Sequence, residues 1–144
     1  MELTFVDVKP GDPAMTAEVG PLIRALRPAL TADGFAAFAA EAHDQGVVFT
    51  AALDARERYL GVATHRVLTT SKGRALLVDD MVTALDARGA GVGTRLLAEL
   101  ETRARAVGCE RLELDAGVAN HGAHRFYHAH RMAITALHFA RELT

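Results

Sequence analysis

The chain has 144 residues, half of them hydrophobic and 24% charged, a length and balance that suit one ordinary globular core and exclude a disordered or fibrous chain. Its 16 basic and 18 acidic side chains are mixed along the sequence and leave a formal net charge of −2, so there is no basic footprint for nucleic acid, and no window of about 18 uninterrupted apolar residues would cross a membrane. A single cysteine, Cys109, and an N-terminus lacking a basic and then apolar leader lead us to expect a reducing, cytoplasmic compartment.

Leu3 to Val8 alternates apolar and polar side chains and stops at Lys9-Pro10-Gly11-Asp12-Pro13, which reads as a first strand and a turn. From there to Ala42 the pattern is helical and Ala-rich, and Pro21 and Pro28 divide it into two short helices. The second starts at Thr31, a good N-cap, carries Phe35, Phe38 and Ala39 at helical spacing, and ends by Gly46.

Val47 to Leu53, Tyr59 to Leu68 and Arg74 to Leu85 then read as an antiparallel meander. Gly91 to Val107 is the clearest helix, with Val92, Leu96, Leu100, Ala104 and Val107 as its apolar stripe, Arg95/Glu99, Glu99/Arg103 and Glu101/Arg105 four apart on the wet side, and Gly108 as a stop. A strand Arg111 to Asp115, a helix from Asn120 to Ala129 and a last extended run Met132 to Ala140 complete the chain. The expected fold is therefore α/β: one domain over residues 1–144, with a mixed, mostly antiparallel sheet flanked by about four helices. The terminal run is apolar enough to make a homodimer through it the candidate assembly, and the oligomeric state stays open.

The segment joining the fourth strand to the long helix, Arg88-Gly89-Ala90-Gly91-Val92-Gly93-Thr94, has the chemistry of an anion site. Unpaired N–H groups at a helix start point outward, the helix dipole favours negative charge, and glycines let a phosphate approach the backbone. Arg88 adds a positive charge and Thr94 a hydroxyl donor. The segment lacks the Lys-Ser/Thr pair of a P-loop, because Thr94-Arg95 follows Gly93. It also lacks the third glycine of a dinucleotide fingerprint, because Leu96 stands there. A tight turn with no ligand is the plainer alternative for these glycines.

These residues resemble the acetyl-CoA signature of the GNAT superfamily of N-acetyltransferases, (Gln/Arg)-x-x-Gly-x-(Gly/Ala), which Arg88, Gly91 and Gly93 match, with the aliphatic pair Leu96-Leu97 behind them. A second segment of that family, Asn-x-x-Ala-x-x-Phe-Tyr, is met by Asn120, Ala123, Phe126 and Tyr127. The resemblance covers most of the chain from Val47 onward, and Met1 to Gly46 fits by element order. It departs after Tyr127: the family continues with Gly-Phe, whereas this chain has Arg131-Met132, so a different turn is expected there.

The resemblance implies a GNAT-like N-acyltransferase fold. It also implies direct attack of an amine on the thioester of acetyl-CoA, the acyl donor, with no metal. The backbone of Met81, Val82 and Thr83 would pair with the pantetheine arm and donate toward the thioester oxygen, Asn120 would hydrogen-bond the pantetheine, and residues 88–94 would hold the pyrophosphate. Tyr127 is suited by its phenol to protonate the thiolate leaving group. Asp79 and Asp80, interrupting the apolar run Ala75 to Val78, are the candidates for the base; alternate residues face opposite sides of a strand, so only one can face a given cleft.

Each assignment has a plainer counterpart: Tyr127 as a half-buried aromatic, Asn120 as an N-cap, Asp79 and Asp80 as surface carboxylates. His121, His124, His128 and His130 lack a Cys or carboxylate at ligand spacing and read as pocket-flanking or surface residues. The acceptor, a small-molecule or peptide amine, is not named by any motif; a metabolite, an aminoglycoside-like or aminophosphonate-like compound and a protein terminus are all compatible. The alternative function is a catalytically degenerate CoA-binding regulatory or assembly module of the same fold.

Overall fold

The computed structural model describes every residue from Met1 to Thr144, and the residues fall into two compact units, Met1–Glu113 and Leu114–Thr144. In the first, β1 (Thr4–Val8) is followed by a π-helical turn, Met15–Val19, that runs straight into α1 (Gly20–Leu26), and then by α2 (Ala32–Asp44). The meander follows as β2 (Val48–Leu53), β3 (Tyr59–Thr70) and β4 (Gly73–Thr83); after a short 3-10 turn come α3 (Val92–Ala106) and β5 (Arg111–Leu114), whose last residue opens the second unit. The sheet order is β1-β2-β3-β4-β5, with the first four strands antiparallel.

Local chemistry explains the helix ends. Thr31 Oγ1 accepts from Gly34 N at 2.9 Å and so caps α2. α3 ends in a Schellman motif: Gly108, at φ 77°, donates to Arg105 O, and Cys109 N reaches back to Ala104 O. Val107 is accordingly the C-cap rather than part of the buried stripe, and is half exposed, while Leu97 takes a buried place beside Leu96 and Leu100. On the wet face Glu99 pairs with Arg103 and Glu101 with Arg105, as the spacing predicts. Arg95 departs from that pattern, its Nη1 donating to Met1 O at 3.0 Å.

One face of the sheet is covered by the π-turn, α1 and α2. Val19, Ile23, Phe35 and Ala39 bury against Val8, Phe49, Ala51, Val62 and Val82, with Phe35, Phe38 and Phe49 edge to face at ring separations of 6.1 and 5.7 Å. α3 also packs on β3 and β4. Its start approaches very closely at Gly61, where a Cβ would lie 3.0 Å from both Val92 Cγ1 and Leu96 Cδ1 and 3.1 Å from Val82 O. Glycine there lets the first turn of α3 sit directly on β3.

In the second unit, α4 (His121–Ala129) is capped by Asn120, whose Oδ1 accepts from Ala123 N at 3.1 Å. It also closes in a Schellman arrangement. Arg131 N donates to His128 O, Met132 N donates to Tyr127 O, and Arg131 itself adopts φ 65°. The turn expected to differ because a glycine is missing therefore keeps the left-handed conformation that glycine favours, imposed here on an arginine.

The last strand does not form. Residues 132–140 carry no ladder, and Ile134, Leu137 and Phe139 are exposed. Their spacing of three and then two never sets up the period-two face that a half-buried strand requires.

Candidate active site

The link from β4 to α3 has the form that the glycines predict. Gly89 and Gly91 adopt φ values of 81° and 85°, and nothing lies within 4 Å of where a Cβ would be built on either. Gly91 is the N-cap of α3 and offers no side chain to its first amides, and the first turn holds no acidic residue. α2 and α4 are both capped by a side chain. The positive end of the long helix is thus left uncompensated, which is the chemistry that binds a phosphate group. A cavity of about 270 Å³ adjoins this turn, lined by Met1, Leu3, Ala90, Gly91, Thr94 and Arg95; Arg88 is exposed beside it in sequence.

Met81, Val82 and Thr83 pair on one edge with Ala63, Val62 and Gly61 of β3. On the other edge β5 offers only four residues to the eleven of β4, and Glu110, just before β5, donates to Arg74 O at the beginning of β4. The ladder with β5 is therefore anchored far from Met81–Thr83.

Asp79 and Asp80 are separated by a break in register. Thr64 lies opposite Asp80 and His65 opposite Val78, so Asp79 is an extra residue on β4, a β-bulge. Their surroundings differ accordingly. Asp79 is exposed and accepts both Nε and Nη2 of Arg66, at 3.0 and 3.2 Å. Asp80 is sunk, its side chain 10% exposed. Its Oδ2 accepts from the buried Thr64 hydroxyl at 2.9 Å and its Oδ1 from Arg27 Nη2, also at 2.9 Å. Arg27 is the C-cap of α1. Neither Arg27 nor Thr64 was singled out by the sequence reading, because nothing local marks a pairing across 53 or 16 residues.

A third polar group was also missed. His65 is buried beneath α3, with Nε2 2.7 Å from Thr50 Oγ1. The Thr50 hydroxyl donates to Asp7 Oδ1 at 2.8 Å, and Asp7 Oδ1 also accepts from Arg103 Nη1 at 2.7 Å. With its own proton used on Asp7, Thr50 accepts from His65 Nε2–H, and this fixes a neutral tautomer. Burial, aided by the nearby Arg103 charge, pushes the imidazole down to about 4.

In the second unit, Asn120 serves as the N-cap of α4, which occupies Oδ1 and leaves its amide N–H groups for other partners. Tyr127 stands edge to face with Phe126 at 5.2 Å, and burial raises its phenol above the ordinary value. Two of the histidines are tied to their own backbone: His124 Nε2 to Gly117 O at 2.8 Å and His130 Nδ1 to Phe126 O at 2.6 Å. No group of three or more His, Cys, Asp or Glu side chains is gathered as a metal cluster would require, and no helix is long and apolar enough to cross a membrane.

No protein of curated function matches the sequence. Many solved structures share the fold. An integron cassette protein from the mobile metagenome of V. cholerae is 23% identical with a TM-score of 0.81, covering 99% of this chain and 93% of its own. An aminoglycoside N-acetyltransferase in complex with CoA is 15% identical with a TM-score of 0.83, over 99% of this chain and 96% of its own. Glucosamine-6-phosphate N-acetyltransferase from Arabidopsis thaliana is 16% identical with a TM-score of 0.75, over the whole of both chains. The sequence profile of the acetyltransferase (GNAT) family matches residues 20–131, a span that takes in the glycine turn, β4 and the Asn120 to Tyr127 segment. The chain belongs to the GNAT acetyltransferase family.

Proposed function

We propose that this chain acts as one cytoplasmic N-acetyltransferase domain, moving the acetyl group of acetyl-CoA to a primary amine. The uncapped start of α3 behind Gly89 and Gly91 carries the reading: an open backbone with no compensating carboxylate suits the pyrophosphate of CoA. The neighbour that holds CoA, and those named for amine acetylation, support it by analogy of fold.

Acetyl-CoA supplies the thioester whose carbonyl carbon the amine attacks. The backbone N–H groups of the 88–94 segment other than those of Arg88 and Ala90, which donate to Leu85 O and Ala87 O, would take the pyrophosphate, with the Arg88 side chain and Thr94 beside them. The edge of Met81, Val82 and Thr83 would meet the pantetheine arm, as would the amide N–H of Asn120. Of the two carboxylates, Asp80 is our choice for receiving the ammonium and accepting its proton, directly or through water. It is sunk, anchored by the Thr64 hydroxyl and paired with only one nitrogen of an exposed arginine, whereas Asp79 is exposed and gripped on both oxygens by Arg66. As the C–N bond forms and the C–S bond breaks, Tyr127 would return a proton to the thiolate. Its raised pKa keeps the phenol protonated across the neutral range.

One observation favours a second reading, a CoA-binding module without turnover: Arg27 already occupies Asp80 Oδ1. Release of free thiol from acetyl-CoA over a panel of primary amines separates the two. Thiol release above the rate without amine supports transfer, and acetyl-CoA binding with no release supports the module.

A further inference from the structure

The ion pair at the base bears on which amine is accepted. Asp80 Oδ2 is committed to the buried Thr64 hydroxyl, so Oδ1 is the oxygen an incoming ammonium must reach, and Arg27 Nη2 stands on it. The two partners are unequally placed. Asp80 is 10% exposed, while the Arg27 side chain is 56% exposed, on a flexible stem rooted in a fixed backbone. Arg27 N donates to Ile23 O, Leu30 N donates to Arg27 O, and Arg24 Nε also ties Leu30 O, so the turn after α1 is held while the guanidinium can swing.

A simple cation reaching Oδ1 has to displace the guanidinium and then sits beside an unmatched positive charge. A molecule bearing an amine next to an anion does not. Its ammonium takes Oδ1 and its anion takes the released guanidinium, so one ion pair is replaced by two and no charge is left unmatched. Carboxylate, phosphate and phosphonate all fit the planar donor fork of arginine, often in bidentate fashion.

Resting on the assignment of Asp80 to the acceptor amine, we propose that Arg27 is a specificity-determining residue that selects primary amines carrying a carboxylate or phosphoryl group a few bonds from the nitrogen. Arg27 opens from Asp80 only as the anion of the acceptor engages it. A polycationic amine would bring a second positive charge toward the displaced Arg27 guanidinium and be disfavoured.

The test compares short primary amines with and without an anionic group, 2-aminoethylphosphonate and glycine against n-propylamine and ethanolamine, with wild type and Arg27→Gln. Thiol release gives kcat/KM, and calorimetry on the CoA-loaded protein gives binding whether or not turnover occurs. Wild type should favour the anionic amines by about tenfold or more. Arg27→Gln should lose that preference, falling on the anionic amines and rising on the neutral-tailed ones as Oδ1 is uncovered, while melting and binding CoA as wild type does.

Equal use of both classes by wild type, or a preference that survives Arg27→Gln, overturns the proposal while leaving acetyl transfer supported by the turnover itself. If no amine releases thiol yet calorimetry shows the anionic preference and its loss in Arg27→Gln, the selection by Arg27 stands and the transfer reading fails. If no amine binds and none turns over, both fail.

Discussion

His65 Nε2 lies 2.7 Å from Thr50 Oγ1, within a chain that continues to Asp7 and Arg103 and ties β1, β2, β3 and α3 together. Its imidazole is held neutral down to about pH 4 when folded, whereas in the unfolded chain it takes a proton near its ordinary value of 6.5. The unfolded state therefore binds more protons between those two values, so the stability His65 contributes is complete above pH 6.5 and is lost as the pH falls toward 4. Over about 2.5 pH units this amounts to roughly 3 kcal/mol. The measurement is urea unfolding of wild type and His65→Gln at a series of pH values. The advantage of wild type should shrink from pH 7.5 to pH 4; an advantage constant with pH would contradict the buried neutral assignment.

Gly61 is the point where α3 touches the sheet. Gly61→Ala puts a methyl group against Val92, Leu96 and the unyielding carbonyl of Val82, at an expected cost of about 1–3 kcal/mol. Because Val92 begins α3, the same change should tilt the amides of the glycine turn before it. Calorimetry should show weaker acetyl-CoA binding along with a lower melting temperature. Loss of stability with donor affinity intact would mean that the turn does not depend on this contact.

Arg131 occupies a left-handed conformation at the end of α4. Arg131→Gly relieves that strain and should raise stability by up to about 1 kcal/mol, net of the greater freedom glycine gives the unfolded chain. Thermal unfolding reads this directly, and a fall in stability would indicate that the arginine side chain contributes more than its backbone costs.

Asp80 and Tyr127 should separate kinetically from the donor site. Asp80→Asn and Tyr127→Phe are each expected to lower kcat by about a hundredfold or more, with acetyl-CoA affinity nearly unchanged, and Asp79→Asn to cost far less. An unchanged rate in Tyr127→Phe would remove the phenol from the acid role, and a larger loss at Asp79 than at Asp80 would exchange the two carboxylates.

Much of this arrangement was legible in the sequence because it depends on near neighbours. Thr31 and Asn120 as caps, Gly108 as a stop, and the glycines before Val92 all act within a few residues of themselves, and the structure has them in those conformations. Long-range pairing left no such trace. The arginine on Asp80 comes from the C-cap of α1 and the hydroxyl on His65 from β2; spacing suggests the meander, but neither spacing nor composition encodes the register or the helix placement that brings these particular side chains together. The bulge at Asp79 was hidden for the same reason, since a one-residue slip is a property of two strands. The terminal run misled because apolar content suggested a strand where the period-two alternation was lacking.

A titration with acetyl-CoA followed by addition of an amine reads both the binding of the donor and its fate. Acetyl-CoA should bind saturably, Gly91→Ala should weaken that binding, and one thiol should be released for each acetylated amine formed. Absence of binding at millimolar acetyl-CoA, or binding that Gly91→Ala leaves untouched, would contradict the donor assignment.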